Sequence, residues 1–226
     1  MMPFYITIII YALILIIPCY ASIKLHITYN SMMKRKSQKG LTGYDVAKKI
    51  LENNGLQSIY IIETQGTMTD NYDGERRTLR LSKDVYNGTS IAALAIAAHE
   101  AGHAVQHAEQ YSWYVRRHRM YPTVAIGEKA SYIVLIIGLV LGSINFIYAA
   151  VILMLFGLAF ELVTLPCEKD ASKRAIKLLQ DYDLIEAGEV KYAKKMLSAA
   201  CLTYVAAIAA TLLEMLYYLS RFRGRD

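Results

Sequence analysis

The sequence predicts a mainly α membrane protein with a small α+β domain set between its apolar segments. Three observations lead there. Of the 226 residues, 55% are hydrophobic and 19% charged, too apolar for a disordered chain. The hydrophobic residues gather in long runs at the start, beyond residue 122 and near the end. Between the first two runs lies a polar stretch in which helix, strand and turn signals follow one another closely.

The first run, "FYITIIIYALILIIPCYASI", spans residues 4–23 and carries no charge. It is long enough to cross a bilayer. A cleaved signal peptide is the competing reading, but such a signal has a basic region ahead of its apolar core. No Lys or Arg precedes this run, so 4–23 reads as a retained transmembrane anchor. Lys24, Lys34, Arg35, Lys36 and Lys39 follow it. The positive-inside rule puts this flank in the cytoplasm and the short N-terminus outside. The cluster is either a solvated flank or a contact for anionic headgroups.

Residues 24–121 read as one domain, water-exposed from about Gly40. "TGYDVAKKILENNGL" is an amphipathic helix with Val46, Ala47, Ile50 and Leu51 on one face, ended by Asn54-Gly55. "QSIYIIET" and "RTLRLSK" read as strands, with a turn-rich loop, "GTMTDNYDGERR", between them. An Ala-rich helix follows at "IAALAIAAHEAGHAVQHAE".

Residues 122–165 have room for a transmembrane hairpin turning near 143–145, at "GSIN"; one long tilted helix is the alternative. Residues 166–200 are polar and helical. The last apolar run, 201–220, reads as a fourth transmembrane helix. Glu214 within it and Arg221, Arg223 and Arg225 after it count against that reading. The three cysteines, Cys19, Cys167 and Cys201, show no CxxC spacing and imply neither a disulfide framework nor a cysteine zinc knuckle. The net charge of +6 lies mostly beside the apolar runs. Topology explains it better than nucleic acid does, and no nucleic-acid motif is present. Nothing in the sequence sets an oligomeric state.

The Ala-rich helix carries His99-Glu100-Ala101-Gly102-His103, the pattern HExxH. Positions i and i+4 lie on one helix face, so His99 and His103 can hold one zinc ion with Glu100 beside it. Zinc acidifies a bound water, and Glu100 is placed to take its proton as general base. The alternative is a pair of core histidines satisfied by local hydrogen bonds. The Ala, Gly and Val flanks favour the metal, because they let other elements pack close. His107 shares the face but stands two turns, ~11 Å, from His99, too far for the same ion on an unbroken helix. It reads as a packing or cleft residue.

A catalytic zinc needs one more protein ligand. The downstream glutamates are Glu109, Glu128, Glu161, Glu168, Glu186, Glu189 and Glu214. Glu168 stands out. It follows Pro166, which suits the first turn of a new helix, and the small residues Ala171 and Ser172 would let that helix approach the first. Ser172 lies one turn on and can orient a histidine ligand. Two alternatives remain: Glu168 merely complements a helix dipole, or the neighbouring Cys167 ligates. His99 and Glu168 must lie on the same side of the membrane. This favours two crossings between them.

The stretch "YDGERRTLRLSKDVYNGTSIAALAIAAHEAGHAVQH" resembles the signature of the YugP-like membrane zinc metallopeptidases. "LPCEKDASKRA" resembles their LPxExxAS stretch, and "SAACLTYVAAIAATL" their C-terminal apolar segment. The resemblance covers nearly the whole chain. It implies a multi-pass membrane protease with a zincin-like catalytic domain, built on the HExxH helix and a second ligand-bearing helix. One Zn2+ would sit on His99, His103 and Glu168, with Glu100 as general base or acid. The arrangement is distantly similar to HtpX and the CAAX prenyl proteases, whose ExxxD element is changed here at Ser172. Cys167 replaces the family's usual valine.

The function expected is therefore a zinc endopeptidase of the cell membrane, acting on protein or peptide substrates from the cytoplasmic side. Candidates for stabilising an oxyanion are Tyr192, Tyr204, Arg174 and His107. The "RTLRLS" strand reads either as a template on which substrate adds a strand or as an ordinary sheet strand. The alternatives are a non-proteolytic zinc-containing membrane scaffold, for which Glu100 would be superfluous, and a zinc hydrolase acting on a non-peptide bond.

Overall fold

The computed structural model describes residues 4–222, with the side chains of 221 and 222 excepted. The elements are α1 (Phe4–Met33), α2 (Gly43–Asn53), β1 (Tyr60–Thr64), β2 (Asn71–Asp73), β3 (Thr78–Ser82), α3 (Lys83–Tyr86), α4 (Ile91–Ala108), α5 (Ser112–Leu141), α6 (Ile144–Asp181) and α7 (Val190–Phe222). The protein is mainly helical. Among the described residues, four helices are long and apolar enough to cross a membrane: Tyr5–Met33, Ser112–Leu141, Ile144–Asp181 and Val190–Ser220. Helix α5 gives way to α6 at Gly142-Ser143, where Gly142 takes φ 60°, a left-handed conformation that glycine adopts without steric cost. Arg223 and Arg225, which weigh on the direction of the last helix, lie outside the described residues.

The chain forms two compact units. One holds residues up to Ile23, Arg116–Pro166 and residues from Leu202; the other holds Lys24–Val115 and Cys167–Cys201. In the first, Leu135, Ile147, Ala150, Val151, Met154 and Leu158 pack with Met215, Tyr217 and Tyr218.

In the second unit, α4 is the central element and packs on α2, α3, β2 and β3. Its alanines make this possible. Ala92, Ala93, Ala95, Ala97 and Ala98 are all fully buried, and short side chains let neighbours approach from several directions. Helix α2 turns Val46, Ala47, Ile50 and Leu51 inward, each larger side chain contributing about 1.5–3 kcal/mol of burial. Its start is fixed by a capping box between Thr42 and Asp45. Its end is fixed by Gly55 at φ 71°, where the Leu56 amide donates to the Leu51 carbonyl (2.8 Å) and the Gly55 amide to Glu52 (3.2 Å). That pattern is a Schellman cap.

The sheet has the order β1-β3-β2, with β1 parallel and β2 antiparallel to β3. Two features differ from the sequence-based expectation. The loop between the expected strands contains β2, a three-residue polar strand held by Arg80, which donates to Asn71 and Asp73 across the pair (both 3.1 Å). And β3, the "RTLRLS" strand, is paired on both sides, so it has no free edge to receive a substrate strand.

Helix α6 also departs from expectation at Pro166. The chain does not start a new helix there; α6 runs unbroken through the proline to Asp181. Proline removes one amide donor and crowds the carbonyl four residues back. In a long helix, neighbouring groups compensate that local loss. The basic flank after α1 is engaged within its own unit: Lys39 pairs with Asp183 (2.7 Å) and Glu186 (3.1 Å), and the Arg35 guanidinium lies 4.4 Å over the Tyr192 ring.

Candidate metal centre

His99 and His103 stand one turn apart on α4, with their rings edge to face at 4.7 Å. Glu168 reaches them from α6. Its Oε2 lies 3.1 Å from His99 Nε2 and its Oε1 3.5 Å from His103 Nε2. One donor atom from each of the three residues falls within 4.8 Å of the others. His103 and Glu168 are buried and His99 is half-buried.

The approach of α6 to α4 depends on small residues. A Cβ placed on Gly102 would stand 3.0 Å from the Ala171 carbonyl oxygen, tighter than an ordinary contact, so a larger residue would press the two backbones apart. Ala101 and Ala171 are both fully buried at the same crossing.

The remaining ring nitrogens are also held. Ser172 Oγ lies 3.3 Å from His99 Nδ1. Gln106 Oε1 lies 2.9 Å from His103 Nδ1. The Gln106 amide NH2 is committed to two acceptors, the Cys167 carbonyl (2.9 Å) and Asp170 Oδ2 (2.8 Å). Its oxygen is therefore left to accept the Nδ1–H of His103, which turns the other ring nitrogen, Nε2, toward Glu168. Asp170 is held in turn by Arg174, which also pairs with Glu109 (2.7 Å). Gln106 is fully buried. The sequence does not single it out: its place three residues after His103 puts it on the same helix face, but the partners that fix its role come from Cys167 and Asp170.

Electrostatics favour a cation here. Burial alone would lower the His103 pKa, yet the Glu168 carboxylate and other hydrogen-bonding neighbours push it up to about 10. Glu100 is buried next to the histidines, and that burial raises its carboxyl pKa although both imidazoles pull it down. Two imidazole nitrogens, each with its other ring nitrogen held by a further group, and a carboxylate form a donor set that suits zinc and leaves a coordination position open.

His107 is turned elsewhere. Its Nδ1 lies 3.1 Å from the Tyr72 hydroxyl and its ring stacks on Tyr114 at 5.2 Å. Gly74 admits this arrangement, since a Cβ there would meet Tyr114 Oη at 2.8 Å and His107 Nδ1 at 2.9 Å. Of the other residues considered for an oxyanion, Arg174 is bound by Asp170 and Glu109 and Tyr192 by Arg35. Tyr204 belongs to the other unit. Cys167 is buried, its Sγ 3.4 Å from Gln106 Oε1, and it does not belong to the three-residue cluster.

Among the described residues, four apolar helices of spanning length thus accompany a cluster of two imidazoles and a carboxylate that could hold one metal ion. The chain belongs to the family described as "Putative neutral zinc metallopeptidase", whose sequence model matches residues 6–223. It is 39% identical over 208 residues to the "Putative membrane protease YugP" of Bacillus subtilis (strain 168), covering 92% of each chain. No solved structure matches it.

Proposed function

We propose that the protein is a zinc-dependent endopeptidase of the cell membrane. The observation that carries this reading is the convergence of His99 Nε2, His103 Nε2 and the Glu168 carboxylate beside the buried carboxyl of Glu100. His99, His103 and Glu168 would hold the ion, and Gln106 and Ser172 keep the imidazoles aimed. A zinc ion there supplies Lewis acidity, which polarises a peptide carbonyl and makes a water more acidic. Glu100 takes the proton of the attacking water and returns it to the departing amine nitrogen. Its raised pKa suits both halves of that transfer. The second unit acts in this reading as a zincin-like catalytic domain. The outer edge of β2 offers backbone groups to an extended substrate, since β3 is closed on both sides and β2 packs on α4. The basic residues Lys34, Arg35, Arg116, Arg117 and Arg119 beside the apolar helices support a cytoplasmic catalytic side.

The test is zinc content and casein hydrolysis by the detergent-solubilised full chain. Wild type is expected to hold one zinc and cleave. Glu100→Gln keeps the zinc and loses about 10²–10⁴-fold in rate. Glu168→Ala loses both. Zinc retained at full stoichiometry in Glu168→Ala overturns the ligand assignment. Undiminished hydrolysis by Glu100→Gln overturns the proton-transfer role.

A further inference from the structure

Within their own unit, α5, α6 and α7 line a cavity of about 230 Å³. Each helix brings one carboxyl to it: Glu128 from α5, Glu161 from α6 and Glu214 from α7. All three lie in helices of spanning length. An ionisable group there is costly unless something partners it, and it commonly marks a functional site. No Lys, Arg or His is among the residues lining the cavity.

Two polar atoms are left over. Glu161 accepts from the Thr211 hydroxyl at 3.4 Å through Oε1, while its Oε2 is buried with no hydrogen-bond partner among the described residues. Thr164, one turn along α6, is only 3% exposed and lines the same cavity. Its Oγ1 likewise has no partner among the described residues. It does not even take the carbonyl of the preceding turn, the usual resort of a threonine in a helix. A carboxylate oxygen and a hydroxyl in the wall of the cavity are thus left without a hydrogen-bond partner among the described residues.

The sign and shape of the cavity narrow what that is. Three carboxyls and no base call for a cation. The three carboxyls are not gathered within 4.8 Å as the donor atoms of the metal centre are, and the volume equals roughly eight waters, so a bare metal ion would not bridge them. The other walls are apolar or aromatic, with Leu153, Met154, Phe160 and Tyr132 among them. Apolar walls suit an aliphatic stem, and aromatic faces and carboxylates suit its charged head. Glu128 and Tyr132 are exposed, which puts the opening on the α5 side.

We propose that this cavity binds an organic cation carried on an aliphatic stem, an alkylammonium or alkylguanidinium. The site is independent of the metal centre. Two sources carry that chemistry: the Lys or Arg side chain of a polypeptide entering the bilayer, and the amine headgroup of an aminophospholipid.

The experiment is thermal unfolding of the full chain in detergent at constant pH and ionic strength. The probes are n-butylammonium, n-butylguanidinium, n-butanol, calcium chloride, and dihexanoyl phosphatidylethanolamine against dihexanoyl phosphatidylcholine. At ten times its dissociation constant a bound cation raises the melting temperature by about 3–5 °C. The rise is expected with a butyl cation but not with butanol, and is lost in Glu161→Gln and in Thr164→Val. Both substitutions keep side-chain size, and unchanged circular dichroism and zinc content show that each variant folds. Response to the butyl cations alone supports the side-chain source; an added response to the ethanolamine but not the choline lipid supports the headgroup. No rise with any organic cation, an equal rise with butanol, a response to calcium alone, or a rise that persists in both variants overturns the proposal.

Discussion

The side-chain oxygen of Gln106 lies 2.9 Å from Nδ1 of His103, inside a network in which every other polar atom of the glutamine is already engaged. This is a positioning contact. A neutral acceptor fixes the orientation of the ring through Nδ1, so Nε2 stays directed at Glu168. Gln106→Leu keeps the volume and removes the acceptor. Its zinc affinity is expected to fall about 10–100-fold, measured by competition with a chromophoric chelator. Unchanged affinity would show that packing alone orients His103.

That network also shows what the sequence made legible. His99, Glu100 and His103 stand out from spacing alone, because helix periodicity puts i and i+4 on one face. Glu168 required a second helix to be placed against the first, and small residues at Gly102 and Ala171 marked where that was possible. Gln106 was not legible in this way. A buried glutamine is recognised by its partners, and those come from Cys167 and Asp170, more than sixty residues away. The long apolar helices were readable from composition. The strand β2 was not, since three polar residues carry no period and are fixed only by pairing with β3. Pro166 misled for a related reason: local propensity favours a helix start, whereas the chain continues one helix through it.

The crossing at Gly102 should be intolerant of added bulk. A Cβ there already meets the Ala171 carbonyl oxygen at 3.0 Å, and that atom is backbone and cannot swing away. Gly102→Val must push α6 from α4 and carry Glu168 away from the histidines. We expect a loss of about 1–3 kcal/mol in stability together with loss of bound zinc, read by thermal unfolding and metal analysis. A variant that unfolds normally and still holds one zinc would show that the two helices adjust without disturbing the cluster.

His107 separates a ligand from a neighbour. Its Nδ1 is directed to the Tyr72 hydroxyl, its ring stacks on Tyr114, and it is not part of the three-residue cluster. His107→Ala is expected to keep one zinc per chain, with affinity within about twofold of wild type, a free-energy change inside the range of an ordinary surface substitution. Metal analysis after dialysis against a chelator series checks this. A large loss of affinity would bring His107 back into the metal site.

The capping box of α2 gives the unit a pH dependence of known sign. The Thr42 hydroxyl donates to Asp45 Oδ2 at 2.7 Å and the Thr42 amide at 2.9 Å, while the Asp45 amide donates back to the hydroxyl at 3.1 Å. The Thr42 hydroxyl is the main reason that the Asp45 carboxyl pKa lies below its ordinary value, with burial opposing it. A carboxyl whose pKa is lower in the folded state binds protons less readily than in the unfolded chain. Its stabilisation is present above the unfolded value, about 3.9, and disappears as pH falls through the folded value. Asp45→Asn is therefore expected to cost about 1 kcal/mol at neutral pH. The gap between variant and wild type should close below about pH 4, as wild type loses the same charge. Melting temperatures of the two proteins between neutral pH and pH 3 decide the matter: a gap that stays constant over that range would mean that the helix start is held by packing of Val46 and Ile50 rather than by the carboxylate.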